Sequence, residues 1–259
     1  MIRSAFCRMH APILAFATLA GLFWQVPGVC QGSGRSLWSA DHETGDLSQW
    51  NLPGENWSGD GGGEFNSGTA DSRPSQDYAK SGKWSVRMTI NTAGPSTSGT
   101  RLFRWAEPLQ HKTLRYSAWF YFPRSYSVPA WWIIFQWKSK RRNGQNDPFY
   151  VVNVGNREDG SMYLYLYDWQ NRVSHLQKHT DLPVGRWFQL EAEYSCAADE
   201  TGSVAVWQDG VLLFEISGTR TRYTDGDCQW SVNNYSDKVI PSPAVIYVDD
   251  ASIRTVADR

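Results

Sequence analysis

The chain has 259 residues, with 25 Lys and Arg against 26 Asp and Glu for a net charge of −1. That balance argues against a general affinity for nucleic acid or a membrane surface, and the length suits one large β domain without requiring a second. Fourteen Trp and twelve Tyr exceed what a core of this size needs; such rings serve either as sandwich filling or as faces on which sugars stack.

In chain order, residues 1–32 read as a cleaved export signal. Arg3 and Arg8 form its basic end, and residues 11–24 its apolar run, with Pro12 and Pro27 as breaks. The run is too short for a membrane span. Its removal takes the net charge to −3 and leaves residues 33–259 as a single secreted domain, expected to be monomeric. Cys7 leaves with the signal, and Cys30 leaves too or becomes terminal. Cys196 and Cys228 remain as a natural disulfide pair in an oxidising compartment, the alternative being two free buried thiols. Closing that loop would contribute roughly 3.7 kcal/mol in the chain-entropy model.

From Leu37 onward, short alternating segments are separated by Gly, Pro, Asn and Asp, with no long helical period. Strands are predicted at 37–40, 84–90, 100–105, 113–122, 130–139, 149–153, 161–169, 187–196, 203–208, 211–216, 229–235 and 244–254. So many strands imply two stacked sheets. Residues 59–63, 92–99, 140–148 and 171–180 read as loops, the third with a basic tip of Lys140, Arg141 and Arg142. Asp209-Gly210 between two strands is a strong hairpin signal. Strand 161–169 puts Tyr163, Tyr165, Tyr167 and Trp169 on one face, either a solvated surface or a stacking platform.

The stretch 131–139 sorts Trp131, Ile133, Phe135, Trp137 and Ser139 onto one face and Trp132, Ile134, Gln136 and Lys138 onto the other. An amide and an ammonium on a face that begins apolar suggest the floor of a ligand cleft. Asp41 and Glu43 near the first strand and Asp249 and Asp250 on the last are hard oxygen ligands of the kind calcium takes. A structural Ca²⁺ joining the chain ends is therefore expected, with no cofactor for catalysis.

Asp41-His42-Glu43-Thr44-Gly45-Asp46, Ser81-Gly82-Lys83-Trp84-Ser85-Val86-Arg87, Tyr116-Ser117-Ala118-Trp119-Phe120-Tyr121-Phe122-Pro123, Phe135-Gln136-Trp137-Lys138 and Ile246-Tyr247-Val248-Asp249-Asp250 occur in an order that resembles the concanavalin A-like jelly-roll polysaccharide lyases of the heparin-lyase and glucuronan-lyase type. The resemblance implies an all-β, two-sheet jelly-roll sandwich that binds an anionic polysaccharide and cleaves it by β-elimination. It implies a carboxylate-binding glutamine at Gln136, an arginine at Arg101 and a proton-transferring tyrosine at Tyr235. Where those lyases carry a histidine after the glutamine, this chain has Lys138, and Phe103 stands where they often have an acid.

An ordinary lysine is protonated at neutral pH, so Lys138 can hold a carboxylate directly but can act as a base only if burial or neighbouring cations lower its pKa. Either Tyr235 serves as both base and acid, or catalysis is lost and a carbohydrate-binding cleft remains. Trp132, Asn233 and Tyr165 are expected to line the cleft. Glu191 and Glu193, two apart on one strand, raise a third reading, a glycoside hydrolase. His175 and His179 read as solvated loop residues.

Overall fold

Alternation at a period of two dictates the architecture, because each strand buries one set of side chains and leaves the other to a sheet surface. The computed structural model describes residues 34–51, 61–94, 96–105 and 113–256, all within one compact unit. The expected signal lies outside these residues. The described chain runs through β1 (Ser36–Ala40), a 3₁₀ turn (Ser48–Trp50), β2 (Gly62–Ser67), β3 (Thr69–Ser75), β4 (Ser85–Asn91), β5 (Ser98–Trp105), β6 (Thr113–Tyr121), β7 (Trp132–Arg141) and β8 (Asn146–Asn156). It continues through β9 (Met162–Asp168), β10 (Val173–Asp181), β11 (Trp187–Ser195), β12 (Gly202–Gln208), β13 (Val211–Thr219), β14 (Gly226–Ser236) and β15 (Ala244–Thr255).

Two antiparallel sheets result, as a jelly-roll sandwich requires. One runs β13-β12-β11-β6-β15-β4-β3, with β1 also paired to β15; the other runs β10-β9-β8-β7-β14-β5-β2. The β12–β13 hairpin turns at Asp209 and Gly210, both at positive φ, which matches the right-handed twist of the flanking strands. Three strands escape the sequence pattern: β2, β3 and β10. Each is a sheet edge, where one side of the backbone is unpaired and polar or chain-bending residues are tolerated; β3 accordingly carries Pro74. Residues 173–180, expected as loop, belong to β10.

The space between the sheets is filled by aromatic rings. Trp137 of β7 stacks flat on Tyr194 of β11, with centroids 4.7 Å apart. Trp230 of β14 meets Tyr116 of β6 at 5.3 Å and Phe135 at 5.3 Å. The contacts to Tyr194 and Tyr116 hold β7 and β14 against the opposite sheet, and that of Trp230 with Phe135 ties the two strands together, so the outer surface of those two strands is a rigid floor.

The pairing of β7 slips by one residue on both sides between Ile133 and Phe135. This β-bulge buries Ile134 and Phe135 in succession. Trp132, expected on the cleft face with Gln136 and Lys138, is therefore a core residue. It packs on Phe122 and Tyr126 and donates Nε1–H to Asn234 Oδ1 at 2.7 Å. Trp131 and Ile133 take the outer face instead.

Cys196, just beyond β11, is bonded to Cys228 in β14 with a Cα separation of 6.2 Å, tying one sheet to the other. Because the crosslink restricts the unfolded chain, the Cys196→Ser/Cys228→Ser double variant should lose about 2–4 kcal/mol of stability. Denaturant titration tests this; an unchanged midpoint would show that the crosslink contributes nothing beyond the aromatic seam.

Candidate active site

Across the outer face of the seven-stranded sheet runs a groove of about 700 Å³. Its floor is fixed by strand register. Gln136 of β7 faces Ser231 of β14 and Val151 of β8; Arg101 of β5 faces Asn233 of β14. A further rank runs Tyr165, Asn153, Ile133, Tyr235 and Gly99 across five strands. Lys138 lies two residues beyond Gln136, opposite Gln229 and Pro148. Thus Arg101, Gln136, Lys138, Tyr235, Asn233 and Tyr165 all line one groove.

Electrostatically the site is unbalanced. Lys138 is 8% exposed, and burial, then the neighbouring Arg101 guanidinium, pull its pKa down to about 7 against a small opposing effect of Asp147. Burial likewise lowers the Arg101 pKa, with Tyr235 close enough to oppose it slightly. Among the described residues no salt bridge involves either cation, and Arg101 Nε is buried without a hydrogen-bond partner. What positions Arg101 is Phe65, whose ring lies 4.2 Å beneath the guanidinium carbon, a cation–π arrangement. Burial pushes Tyr165 up to about 12, which fits it as a hydroxyl donor rather than a base.

Tyr235 is set by shape. Its ring lies over Gly99, where a β-carbon would stand 2.6 Å from Tyr235 Cγ and closer still to Cδ2. The edge of the tyrosine meets Trp131, with centroids 5.0 Å apart and planes at 71°. A glycine inside β5 is thus explained by the close approach of another group.

Other groove residues escaped the sequence reading: Phe65, Trp131 and Asn153; Tyr167 and Trp169, read with Tyr165 as either a solvated surface or a stacking platform, also line the groove. Asn153 had a legible signal, a lone amide in the apolar run Val151–Val154. Phe65 had none, because no strand is predicted between residues 40 and 84. His175 and His179 lie on β10 and do not line the groove, which takes only Ser174 from that strand. Glu191 and Glu193 lie on β11 in the opposite sheet, Glu193 paired to Arg115 at 3.3 Å; they are not positioned for glycoside hydrolysis in this groove.

The four acids expected to bind calcium each have other partners. Asp41 Oδ1 accepts from Gln49 Nε2 at 2.8 Å and from the Glu43 N–H at 3.2 Å. Glu43 Oε1 accepts the Lys83 and Trp84 N–H groups, both at 2.8 Å. Asp249 accepts the Lys80 N–H and the Asp250 N–H at 2.8 Å. Asp250 Oδ1 accepts the Ser81 hydroxyl at 2.9 Å. Buried His42 receives Trp50 Nε1–H at its Nε2, so its proton sits on Nδ1 and faces Asp249 Oδ1 at 3.3 Å. Among the described residues no group of three His, Cys, Asp or Glu side chains could hold a metal ion. The structure does not bring the four acids together as a ligand set; Glu43, Asp249 and Asp250 hold the 80–84 turn, while Asp41 bonds within its own segment.

A family model described as polysaccharide lyase matches residues 42–252. Among solved structures, the fold is similar to an endo-β-1,4-glucuronan lyase from the fungus Trichoderma reesei, at 14% identity and a TM-score of 0.56 over 79% of this chain and 92% of that one. It is also similar to the marine PL-14 alginate lyase from Aplysia kurodai, at 12% identity and 0.55 over 85% and 99%. The alginate lyase vAL-1 from Chlorella virus gives 11% and 0.52 over 73% and 92%. At these identities the likeness shows the fold. No curated protein sequence matches the chain significantly.

Two outcomes follow from the geometry. Gly99→Ala should displace Tyr235 and cut turnover by an order of magnitude or more while the protein still melts cooperatively; turnover equal to wild type would show that the tyrosine tolerates the shift. Lys138→Met should be more stable than wild type below pH 7. Lowering a lysine from 10.5 to about 7 corresponds to at most about 5 kcal/mol. The unfolded state binds the extra proton between those values, so this penalty is full below pH 7 and fades as pH rises toward 10.5. Melting curves across that range test it, and a gain independent of pH would disprove it.

Proposed function

The chain belongs to the polysaccharide lyase family, and from that premise we propose that it cleaves a uronate-containing polysaccharide by β-elimination in the groove described above. The observation that carries this reading is the pair Arg101 and Lys138, a half-buried and a buried cation without a salt bridge among the described residues, in a groove whose other lining residues carry no charge. A cation without a salt-bridged partner favours an anionic ligand, and a desolvated site strengthens that attraction.

In this reading the sugar carboxylate lies against Arg101 and Gln136, with Asn233 beside the arginine. Their donors stabilise the negative charge that spreads onto the carboxylate when the adjacent carbon loses its proton. Lys138, with its pKa near 7, supplies a free amine at neutral pH and takes that proton. The carbon's electron pair forms the new double bond as the bond to the leaving glycosidic oxygen breaks. Tyr235 gives its phenolic proton to that oxygen, and exchange with solvent restores both groups. The departure from histidine at position 138 thereby keeps base chemistry, because a pKa close to the working pH is what general-base catalysis needs.

The export signal read in residues 1–32 and the Cys196–Cys228 disulfide support an extracellular location, where such polymers occur.

Elimination leaves an unsaturated uronate that absorbs in the ultraviolet, so incubation with glucuronan, alginate, heparin-like and pectic polymers reads it directly. New reducing ends without that absorbance would indicate hydrolysis, and retention on the polymer without product would indicate a binding protein. For the cleaved polymer, the rate should rise with pH through about 7 as Lys138 loses its proton; a rate falling over that interval would reassign Lys138 to carboxylate binding. Tyr235→Phe should lower the rate about 10²–10⁴-fold.

A further inference from the structure

The groove is longer than one sugar and only part of it is charged. Its lining starts at Phe65 and Ser67 on β2, one edge of the seven-stranded sheet, and ends at Ser174 on β10, the other edge. Seven strands at their usual spacing span about 28 Å. Arg101 and Lys138 stand on β5 and β7. Beyond β7 the lining residues Pro148, Val151, Asn153, Tyr165, Tyr167 and Trp169 carry no charge.

Trp169 directly follows β9 and is 46% exposed although it lines the groove. Its backbone is fixed. The Trp169 N–H donates to Phe149 O at 2.9 Å, Gln170 Nε2 donates to Pro148 O at 3.1 Å, and Asp168 Oδ1 accepts the Asn171 N–H at 3.0 Å. Tyr167 meets the indole edge to face, with centroids 5.8 Å apart and planes at 88°. An exposed indole on a turn pinned this way is not needed to fill the core, and its ordering cost is already met before a ligand arrives. Pro148, the register partner of Lys138, lies in the floor between them. Measured across the strands, the indole therefore stands two strands from Lys138 and four from Arg101, a lateral separation of about 10 and 19 Å at the usual spacing.

We propose that Trp169 forms a second sugar-binding site in the groove, stacking on the face of a pyranose one or more units away from the sugar held at Arg101, and recognising the ring rather than its carboxylate. Rings with a fixed face and an apolar neighbour suit the C–H face of a sugar. The inference rests on the proposed reading only in placing the cleaved sugar at Arg101.

The test is calorimetric titration of the Tyr235→Phe protein, to limit cleavage, with glucuronan oligosaccharides of two to six sugars and cello-oligosaccharides of equal length. Affinity should rise with length. Adding Trp169→Ala should weaken the longest ligands about tenfold and leave the dimer unchanged, with Trp169→Phe restoring most of the loss and the melting temperature unaltered. An unchanged length profile in Trp169→Ala, an equal loss at every length, or no binding of either series overturns the proposal. Failure of the uronate reading looks different: both series bind alike, while Trp169→Ala still weakens only the long ligands of each, which sustains the stacking site without the carboxylate.

Discussion

Holding a buried lysine within electrostatic reach of an arginine in one groove is the costly feature on which the candidate site depends. Burial alone disfavours the charged form of Lys138, and Arg101 beside it adds repulsion. A fold tolerates this only if the surrounding floor cannot rearrange to let either group escape to water. The aromatic seam between the sheets provides that rigidity: Trp137 and Phe135 anchor β7 from below, Trp230 anchors β14, and these are the strands carrying Gln136, Lys138, Asn233 and Tyr235. The core is thus what keeps the charges in place, and the same residues that read as sandwich filling decide where the site can be.

The period-two pattern by itself makes the architecture and most of the groove legible. Gln136, Lys138, Asn233 and Tyr235 sit on the groove face because alternation and strand pairing put them there. Two kinds of feature were not legible. A single-residue bulge at Ile134 inverts the faces of everything preceding it on β7, so Trp131 and Trp132 exchange roles, and no residue type marks the slip. Edge strands were the other: β2, β3 and β10 pair on one side only, so their sequences are not forced to alternate, and Phe65 was hidden in one of them.

The chain ends show how one chemical signal supports two structures. Acids at Asp41, Glu43, Asp249 and Asp250 suit a hard cation, yet a carboxylate oxygen is equally satisfied by backbone N–H groups at the usual hydrogen-bond distance. Here Glu43 and Asp249 cap the turn at residues 80–84 from opposite sides, joining the segment after β1, the turn before β4 and β15. Composition and sequence position cannot distinguish the two cases, because the competing donors are main-chain groups that every sequence possesses.

The same ambiguity, resolved by surroundings, governs position 138. Histidine titrates near neutrality without help; lysine does so only when its environment supplies the shift. Burial and Arg101 supply it here, so the side chain and its environment have to be read as one unit. In the proposed reading that unit ties substrate binding to proton transfer: a carboxylate at Arg101 would offset the guanidinium charge that depresses the lysine, and so raise the lysine's proton affinity. On that reading the cation that binds the carboxylate also sets the strength of the base near it.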